Sequence, residues 1–378
     1  MILEIFAALV LLIYGVRLLK HRAAWIRIKP VATVENDRSV SIVIVARNEM
    51  ENLHRLIPRL KDQTYRHITE ILVVDDESTD GTGEYLRSEG VRVLRSHPGS
   101  HFRKKEGLKL ALQHAKGEII LQTDADCIVG EHWVETMVNA LNSGTQLVQG
   151  PLTYRRTGSL FSGVLEAEQA VLNGLAGSGI ALGQPMVGNA ANMAYVKDAF
   201  DTEIVLGSNL SASGDDSEIL EAVAERHGRS AIVFNKEFHA LVQAEAPQSF
   251  NEFFHQRLRW ASKVSLRSFS RIGKDALIFS LANFVLLVLI FGAVIELIPW
   301  GNVWTLFTVK YVIDLCWFLT IWPFYRPPDC GKGWLIDSLV LVIFYPIYTF
   351  IFAVLSKFVP FKWKDQKIAP WTRSSGTS

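Results

Sequence analysis

Residues 118–127, EIILQTDADC, begin as a buried-looking strand and end abruptly in two aspartates one residue apart, Asp124 and Asp126. An apolar run gains nothing from carboxylates at its end, because burying an unpaired charge is costly. Two hard oxygen ligands at that point suit Mg²⁺ or Mn²⁺, ions held by one or two carboxylates with substrate phosphates completing the shell. The alternative reading is a helix N-cap before the stretch HWVETMVNAL that follows, but capping needs one residue and not two.

Working upstream, three more β-branched runs appear: SVSIVIVA (39–46), EILVVDD (70–76) and VRVLRS (91–96). Between them and the opening stretch lie EMENLHRLIPRL, TGEYLRSE and KKEGLKLALQHA, each with apolar residues at helical spacing. Short strands joined by helices imply right-handed crossovers, so the fold class is α/β with a mostly parallel sheet. In such sheets ligands collect at the carboxyl ends of the strands. The first strand is followed by Ala46, Arg47, Asn48 and Glu49, and the second by DDESTDGT, from Asp75 and Asp76 to Thr82. That second stretch reads either as a turn with a helix cap or as side chains that hydrogen-bond a base and ribose. Gly81 and Gly83 do not complete a dinucleotide fingerprint, because Leu86 stands where the third glycine belongs. Lys104 and Lys105 add positive charge near a bound diphosphate, or else solvate a helix surface.

The chain has 378 residues, of which 49% are hydrophobic, and the excess is concentrated at its two ends. A formal net charge of +1 gives no footprint for a nucleic-acid partner. Cys127, Cys316 and Cys330 lack C-x-x-C spacing and read as free thiols. Residues 2–19 are nearly unbroken apolar sequence, followed by Arg17, Lys20, His21, Arg22, Arg27 and Lys29. Charge after the run predicts an anchor (residues 1–20) with the next domain on the cytoplasmic side, as opposed to a cleaved signal peptide. The stretch 249–275 is a basic amphipathic helix suited to the membrane interface. Three apolar segments follow within 276–358, and the middle one carries Lys310 and Asp314, a pair expected to face the helix bundle. If all three cross, the basic tail (359–378, with Lys362, Lys364, Lys367 and Arg373) lies outside, against the positive-inside rule. The expectation is that one segment, the middle one first, is interfacial or re-entrant, or that the tail defies the rule.

ARNE, DDESTDGT, RKKEGL, TDADC, GDDSE and QRLRW, in this order, resemble glycosyltransferase family 2. The likeness is to its membrane-anchored branch of cellulose-, hyaluronan- and poly-N-acetylglucosamine-synthase-like and glucosylceramide-synthase-like enzymes. The resemblance implies a GT-A nucleotide-binding domain over residues 38–248. It implies that Glu49, Asp75 and Asp76 line the uridine pocket and that Lys104 is the family's Gly-Lys lysine, with Arg103 in place of the glycine. Asp124 and Asp126 match the Asp-x-Asp element, Asp126 being the direct metal ligand. GNAANMAY (188–195) resembles an acceptor-side segment, with Ala190 where the family has glycine, and the glycines at 174, 177, 179 and 183 before it read as an acceptor flap or as close packing. Asp216 matches the catalytic base, and Gln256, Arg259 and Trp260 the Gln-x-x-Arg-Trp face that closes over the diphosphate beside the acceptor.

The expected protein is an integral protein of the bacterial inner membrane with a cytoplasmic catalytic domain. It is expected to be an inverting transferase that moves a sugar from a nucleotide sugar, a UDP-sugar first, to a lipid or lipid-linked acceptor with the help of Mg²⁺ or Mn²⁺. The alternatives are a processive polysaccharide synthase that extends a glycan, and a non-catalytic membrane scaffold that retains the fold.

Overall fold

Alternation of β-branched runs with amphipathic segments produces the expected strands and helices in a computed structural model that describes residues 2–30, 36–96, 103–185, 187–206, 215–263, 274–325, 333–363 and 366–368. In chain order the elements begin with α1 (Ile2–Arg27), β1 (Val40–Ala46), α2 (Met50–Lys61), β2 (Ile68–Asp75), α3 (Thr82–Ser88), β3 (Arg92–Arg95), α4 (Arg103–His114) and β4 (Ile119–Gln122). There follow β5 (Cys127–Ile128), α5 (Trp133–Asn139), β6 (Leu147–Gln149), β7 (Leu152–Tyr154), α6 (Leu160–Ala181), β8 (Met193–Val196), α7 (Thr202–Leu206), α8 (Asp215–His227), β9 (Ile232–Phe234) and β10 (Val242–Ala244). The C-terminal part holds α9 (Phe250–Lys263), α10 (Lys274–Val294), α11 (Trp300–Tyr325), α12 (Trp334–Leu355) and a small hairpin of β11 (Phe361–Trp363) and β12 (Gln366–Ile368).

Contacts divide the chain into two units that are not linear in sequence. One comprises Ala24–Arg155 and Leu172–Glu245, and the other Met1–Ala23, Arg156–Val171 and Ala246–Ser378. The first half of α6 therefore groups with the apolar helices although it lies inside the stretch 38–248.

In the strand-and-helix unit the main sheet has the order β3-β2-β1-β4-β8-β6-β9. β1 is parallel to both β2 and β4, β2 is parallel to β3, and β8 alone runs antiparallel to its neighbours. The chain leaves β1 in one direction and returns on its other side as β4, which makes the gap beyond β1 and β4 the switch point where doubly wound sheets bind ligands. Every side chain of β4 is buried, as is nearly all of β1, in keeping with a sheet covered on both faces. α4 lies close over β1 because residue 107 is glycine: a Cβ there would sit 2.8 Å from Val45 Cγ1. The glycine-rich stretch read as a flap or as packing is helical for three of its four glycines, which fall within α6. Gly177 explains why, since a Cβ there would sit 2.8 Å from the Phe234 ring. At Gly177 the small residue serves close packing inside a helix, whereas Gly183 follows the helix with a φ of 68°.

Among the described residues, four helices are long and apolar enough to cross a membrane, and the other unit holds most or all of each: α1, α11, α12 and residues 277–294 of α10. α11 runs uninterrupted for 26 residues, without the break that a re-entrant hairpin needs. Its Lys310 Nζ lies 2.5 Å from Asp314 Oδ2, and the Tyr14 hydroxyl of α1 donates to the same carboxylate. The pair expected to face the bundle does so, and Lys310 is buried. Asp275 is met by His21 Nε2 at 3.2 Å and by Arg17 Nε at 3.3 Å. α1 outruns the anchor expected for residues 1–20 by seven residues. Its last turn belongs to the strand-and-helix unit, where Trp25 is buried against Phe234 and the Lys236 Nζ donates to the Trp25 carbonyl at 2.8 Å. Cys127 and Cys316 are free thiols, and Cys330 lies outside the described residues.

Candidate active site

The loops after β1 and β2 are knitted together at the carboxyl edge of the sheet. The Arg47 Nη1 donates to the Asp76 carbonyl at 3.0 Å, the Asn48 amide N–H to Ser78 Oγ at 2.9 Å, and the Thr79 N–H to Asn48 Oδ1 at 2.9 Å. Asn48 and Glu77 hold φ of 52° and 55°, conformations that non-glycine residues adopt at a cost of order 1–3 kcal/mol and that gather at ligand-binding loops. Asp75 and Asp76, each 4% exposed, are both tied into this edge. Asp75 Oδ1 accepts the Ser78 N–H at 3.0 Å, and Asp76 Oδ1 accepts the Ser96 hydroxyl at 2.7 Å. The Asp75 carboxylate also explains Gly83, because a Cβ there would sit 2.6 Å from Asp75 Oδ2. Of the two glycines that fail as a dinucleotide fingerprint, Gly83 thus makes room for a carboxylate, while Gly81 holds a φ of 91° that favours glycine. Glu49 joins the same edge, its N–H donating to Thr82 Oγ1 at 3.1 Å and its carboxylate accepting from Asn52 at 2.5 Å.

Across the switch point, β4 ends at Gln122 and the chain turns through Asp124 and Asp126 before β5. Lys104, in the first turn of α4, places its Nζ 2.7 Å from Asp124 Oδ1. Its neighbour Lys105 is 1% exposed and places its Nζ 2.6 Å from Glu218 Oε2, in the first turn of α8. Asp216 lies in that same turn and accepts the Ser217 N–H at 2.8 Å. Gly188 presses on it, since a Cβ there would sit 2.5 Å from the Asp216 carbonyl carbon. Within this unit the fold therefore gathers Glu49, Asp75, Asp76, Lys104, Asp124, Asp126 and Asp216 on strand ends and the first turns of two helices.

The donor chemistry fits a divalent cation whose shell a substrate completes. Asp124 and Asp126 offer half-buried carboxylate oxygens, and no cluster of three or more His, Cys, Asp or Glu residues able to hold a metal by themselves occurs among the described residues. Complete burial, reinforced by the Asp126 and Asp124 charges, pushes the adjacent Cys127 thiol well above the ordinary thiol range.

Asn192, in the segment resembling an acceptor-side loop, is a buried strut. Its amide donates to the carbonyls of Pro151 and Ala240, both at 2.7 Å, and its oxygen accepts from Trp133 Nε1 at 2.9 Å.

Gln256, Arg259 and Trp260 belong to the other unit, on α9. There the residue between them organises the face. The buried Arg257 pairs with Glu168, donates to Gln256 Oε1 at 2.5 Å, and lies 4.3 Å from the Trp260 ring centroid and 4.7 Å from that of Phe253. Tyr348 of α12 donates to the other Glu168 oxygen at 2.5 Å. Arg267 and Arg271 of the amphipathic stretch lie outside the described residues.

Residues 41–202 match the family model described as glycosyl transferase family 2. That match covers less than half of the chain and makes the stretch similar to family 2 glycosyltransferases. Glycosyltransferase AglE of Haloferax volcanii is 30% identical over 124 residues, which is 30% of this chain and 40% of that protein. Dolichol-phosphate mannosyltransferase of Pyrococcus furiosus is 29% identical over 119 residues, 29% of this chain and 32% of that protein. The chain thus spans less than half the length of these relatives. Mannosyltransferase PcManGT from Pyrobaculum calidifontis, solved in complex with GDP-Man and Mn²⁺, is similar with a TM-score of 0.57 at 16% identity, covering 94% of this chain and 99% of that one. That likeness establishes the GT-A fold. The family 2 match carries the strand-end acids but stops before α8 and α9, so Asp216 and the Gln-Arg-Trp face lie beyond it.

Two arginines that sequence reading passed over stand beside the aspartates of the matched stretch. Glu245 donates its N–H to the Asp126 carbonyl at 3.3 Å, and its carboxylate is shared by Arg55 Nη1 at 2.8 Å and Arg155 Nη1 at 2.9 Å. Both arginines are exposed side chains that 190 and 90 residues separate from Glu245, so no local pattern announces them.

Proposed function

We propose that the protein is a membrane-embedded inverting glycosyltransferase that moves a sugar from a nucleotide sugar to a lipid-linked acceptor. The observation that carries this reading is the meeting of acids and lysines beyond β1 and β4: Lys104 on Asp124, Lys105 on Glu218, and Asp216 in the same helical turn as Glu218. Glu49, Asp75 and Asp76 form the wall for the nucleoside, with UDP the first donor to test. Asp124 and Asp126 would hold Mg²⁺ or Mn²⁺, which supplies positive charge to the leaving diphosphate. Lys104 adds a second positive group there.

Asp216 acts as the general base. It takes the proton of the acceptor hydroxyl as that oxygen bonds to the anomeric carbon, while the bond from that carbon to the diphosphate breaks with its electron pair. One base and no covalent nucleophile give inversion. Arg55 and Arg155 suit a phosphate on the acceptor, since guanidinium groups bind phosphates by paired hydrogen bonds. The name of the dolichol-phosphate relative and the four apolar helices support a lipid carrier of that kind.

The test is nucleotide release by the detergent-solubilised full chain with a panel of UDP- and GDP-sugars, with and without Mn²⁺ and a polyprenyl-diphosphate-linked sugar, which carries both a hydroxyl and a phosphate, followed by mass measurement of the product. A discrete glycolipid is expected. A polymer would favour a processive synthase, and no release with any donor would leave a scaffold.

A further inference from the structure

Lys105 is an unusual residue for its position. It sits in the first turn of α4, where the helix dipole disfavours a cation, and it is buried to 1% exposure. A lysine that only solvated a helix surface would extend its amine into water; burial of an ammonium demands a partner. That partner is Glu218, at 2.6 Å from a chain segment 113 residues further on. The carboxylate in turn is held: burial raises Glu218 above the ordinary range while Lys105 opposes the rise.

The first turn of α8 is fixed at two more points. Asp215 is buried and accepts from Gln122 Nε2 of β4 at 3.4 Å, and Gly188 closes on the Asp216 backbone, leaving no room even for a Cβ. Gln122 is itself oriented by the Tyr195 hydroxyl, which donates to its oxygen at 3.2 Å. Asp216 is thus presented by a turn whose flanking acids are both anchored, one to the strand that leads to Asp124 and one to the helix that carries Lys104. Lys104 and Lys105 are adjacent on one backbone and reach Asp124 and Glu218 respectively. A single helical turn of α4 thus links the aspartate pair to the α8 turn, beside the direct link from Gln122 of β4 to Asp215.

We propose that Lys105 is a positioning residue for the transfer step, one that fixes Asp216 relative to Asp124 and Asp126 through its ion pair with Glu218. This rests on the assignment of Asp216 as base. A positioning residue acts on turnover and leaves donor capture alone, which separates it from Lys104 and from a purely structural lysine.

The experiment measures kcat and donor KM for the solubilised full chain, with the nucleotide sugar selected by the panel, alongside thermal melting of each variant. Lys105→Met should lower kcat about 100-fold, the order of loss that a misplacement of about 1 Å brings, with donor KM changed less than about threefold. Lys105→Arg, which keeps a cation for Glu218, should recover most of the loss. Lys105→Met combined with Glu218→Gln should recover part of it, because no buried carboxylate is then left unpaired. Unchanged kcat in a folded Lys105→Met would overturn the proposal. So would a rise in KM at constant kcat, or a loss of kcat that follows a fall in melting temperature and that Lys105→Arg fails to rescue. Asp216→Asn is assayed in parallel: if it keeps turnover, the assignment of the base falls and the positioning role with it. If it is inactive while Lys105→Met is fully active, only the positioning role falls.

Discussion

Apart from the buried Lys105, Asp75 and Asp76 of the strand-and-helix unit, the two units treat charge in opposite ways. In the strand-and-helix unit, carboxylates and lysines stand at strand ends and helix starts, with Asp124, Asp126 and Asp216 half-buried. In the apolar unit, Arg257 and Glu168, Lys310 and Asp314, and His21 and Asp275 are drawn inside and closed on one another. Side chains of the same type therefore do different work. A half-buried acid retains oxygen for a ligand or a proton, whereas a buried pair spends its bonding capacity on holding helices in register. If this contrast is right, substitutions in the first unit damage turnover in a folded protein, and substitutions in the second damage folding first.

The largest effect belongs to Asp216. Asp216→Asn preserves shape and hydrogen-bonding capacity but removes the base, so transfer should fall by about 10²–10⁴-fold while donor binding holds. Turnover within a few-fold of the parent would remove Asp216 as base and weaken the contrast at its strongest point. Next comes Asp126→Ala, read as the Mn²⁺-dependent part of UDP binding. The loss should exceed the about 10–100-fold that even a supporting partner of a metal ligand costs. Equal affinity with and without Mn²⁺ in the parent chain would contradict the role of both aspartates.

These acids were legible because β1, β2 and β4 are apolar runs that end in charge, a pattern visible without any long-range information. The strands β5 to β10 were not, since segments of two to four residues carry no measurable period. Helix α6 was half hidden for the opposite reason: Gly174, Gly177 and Gly179 weigh against a helix by propensity, and only the Phe234 ring across the interior reveals why residue 177 is glycine. Lys105 and Arg257 were hidden by ambiguity. A basic residue on an amphipathic helix looks the same whether it reaches solvent or a carboxylate, and the partners lie 113 and 89 residues away. Periodicity places a side chain on a face, but it does not say what waits there.

Arg257 and Glu168 test the other side of the contrast. Breaking a buried ion pair by removing one member leaves the other charge unpaired and typically costs about 3–5 kcal/mol. Arg257→Met should therefore lower the melting temperature of the solubilised protein sharply. Replacing Glu168 with methionine as well should restore much of it, with the Tyr348 hydroxyl lacking its acceptor and Gln256 Oε1 lacking the Arg257 donor. A fully stable single variant would show that this pair does not hold the helices. Reduced transfer at parental stability would move Arg257 into the site through its contacts with Gln256 and Trp260.

The smallest effect concerns pH. Arg156 meets Glu166 at 3.5 Å and Asp337 at 2.8 Å, so one cation serves two buried acids. Burial, and secondarily the Asp337 charge, push the Glu166 carboxyl up to about 7 against the opposing pull of Arg156. An acid whose pKa is raised by folding binds more protons folded than unfolded, so its contribution to stability is complete below the ordinary value of 4.5 and is lost as pH rises through about 7. Glu166→Gln keeps the neutral shape at every pH. The melting temperature of the variant relative to the parent should therefore climb between pH 5 and pH 8, by an amount of order a few degrees. A difference that stays flat, or falls, would mean that Arg156 keeps Glu166 ionised throughout. In that case the triad would be two closed ion pairs, like the others of its unit, and not one pair with a shared proton.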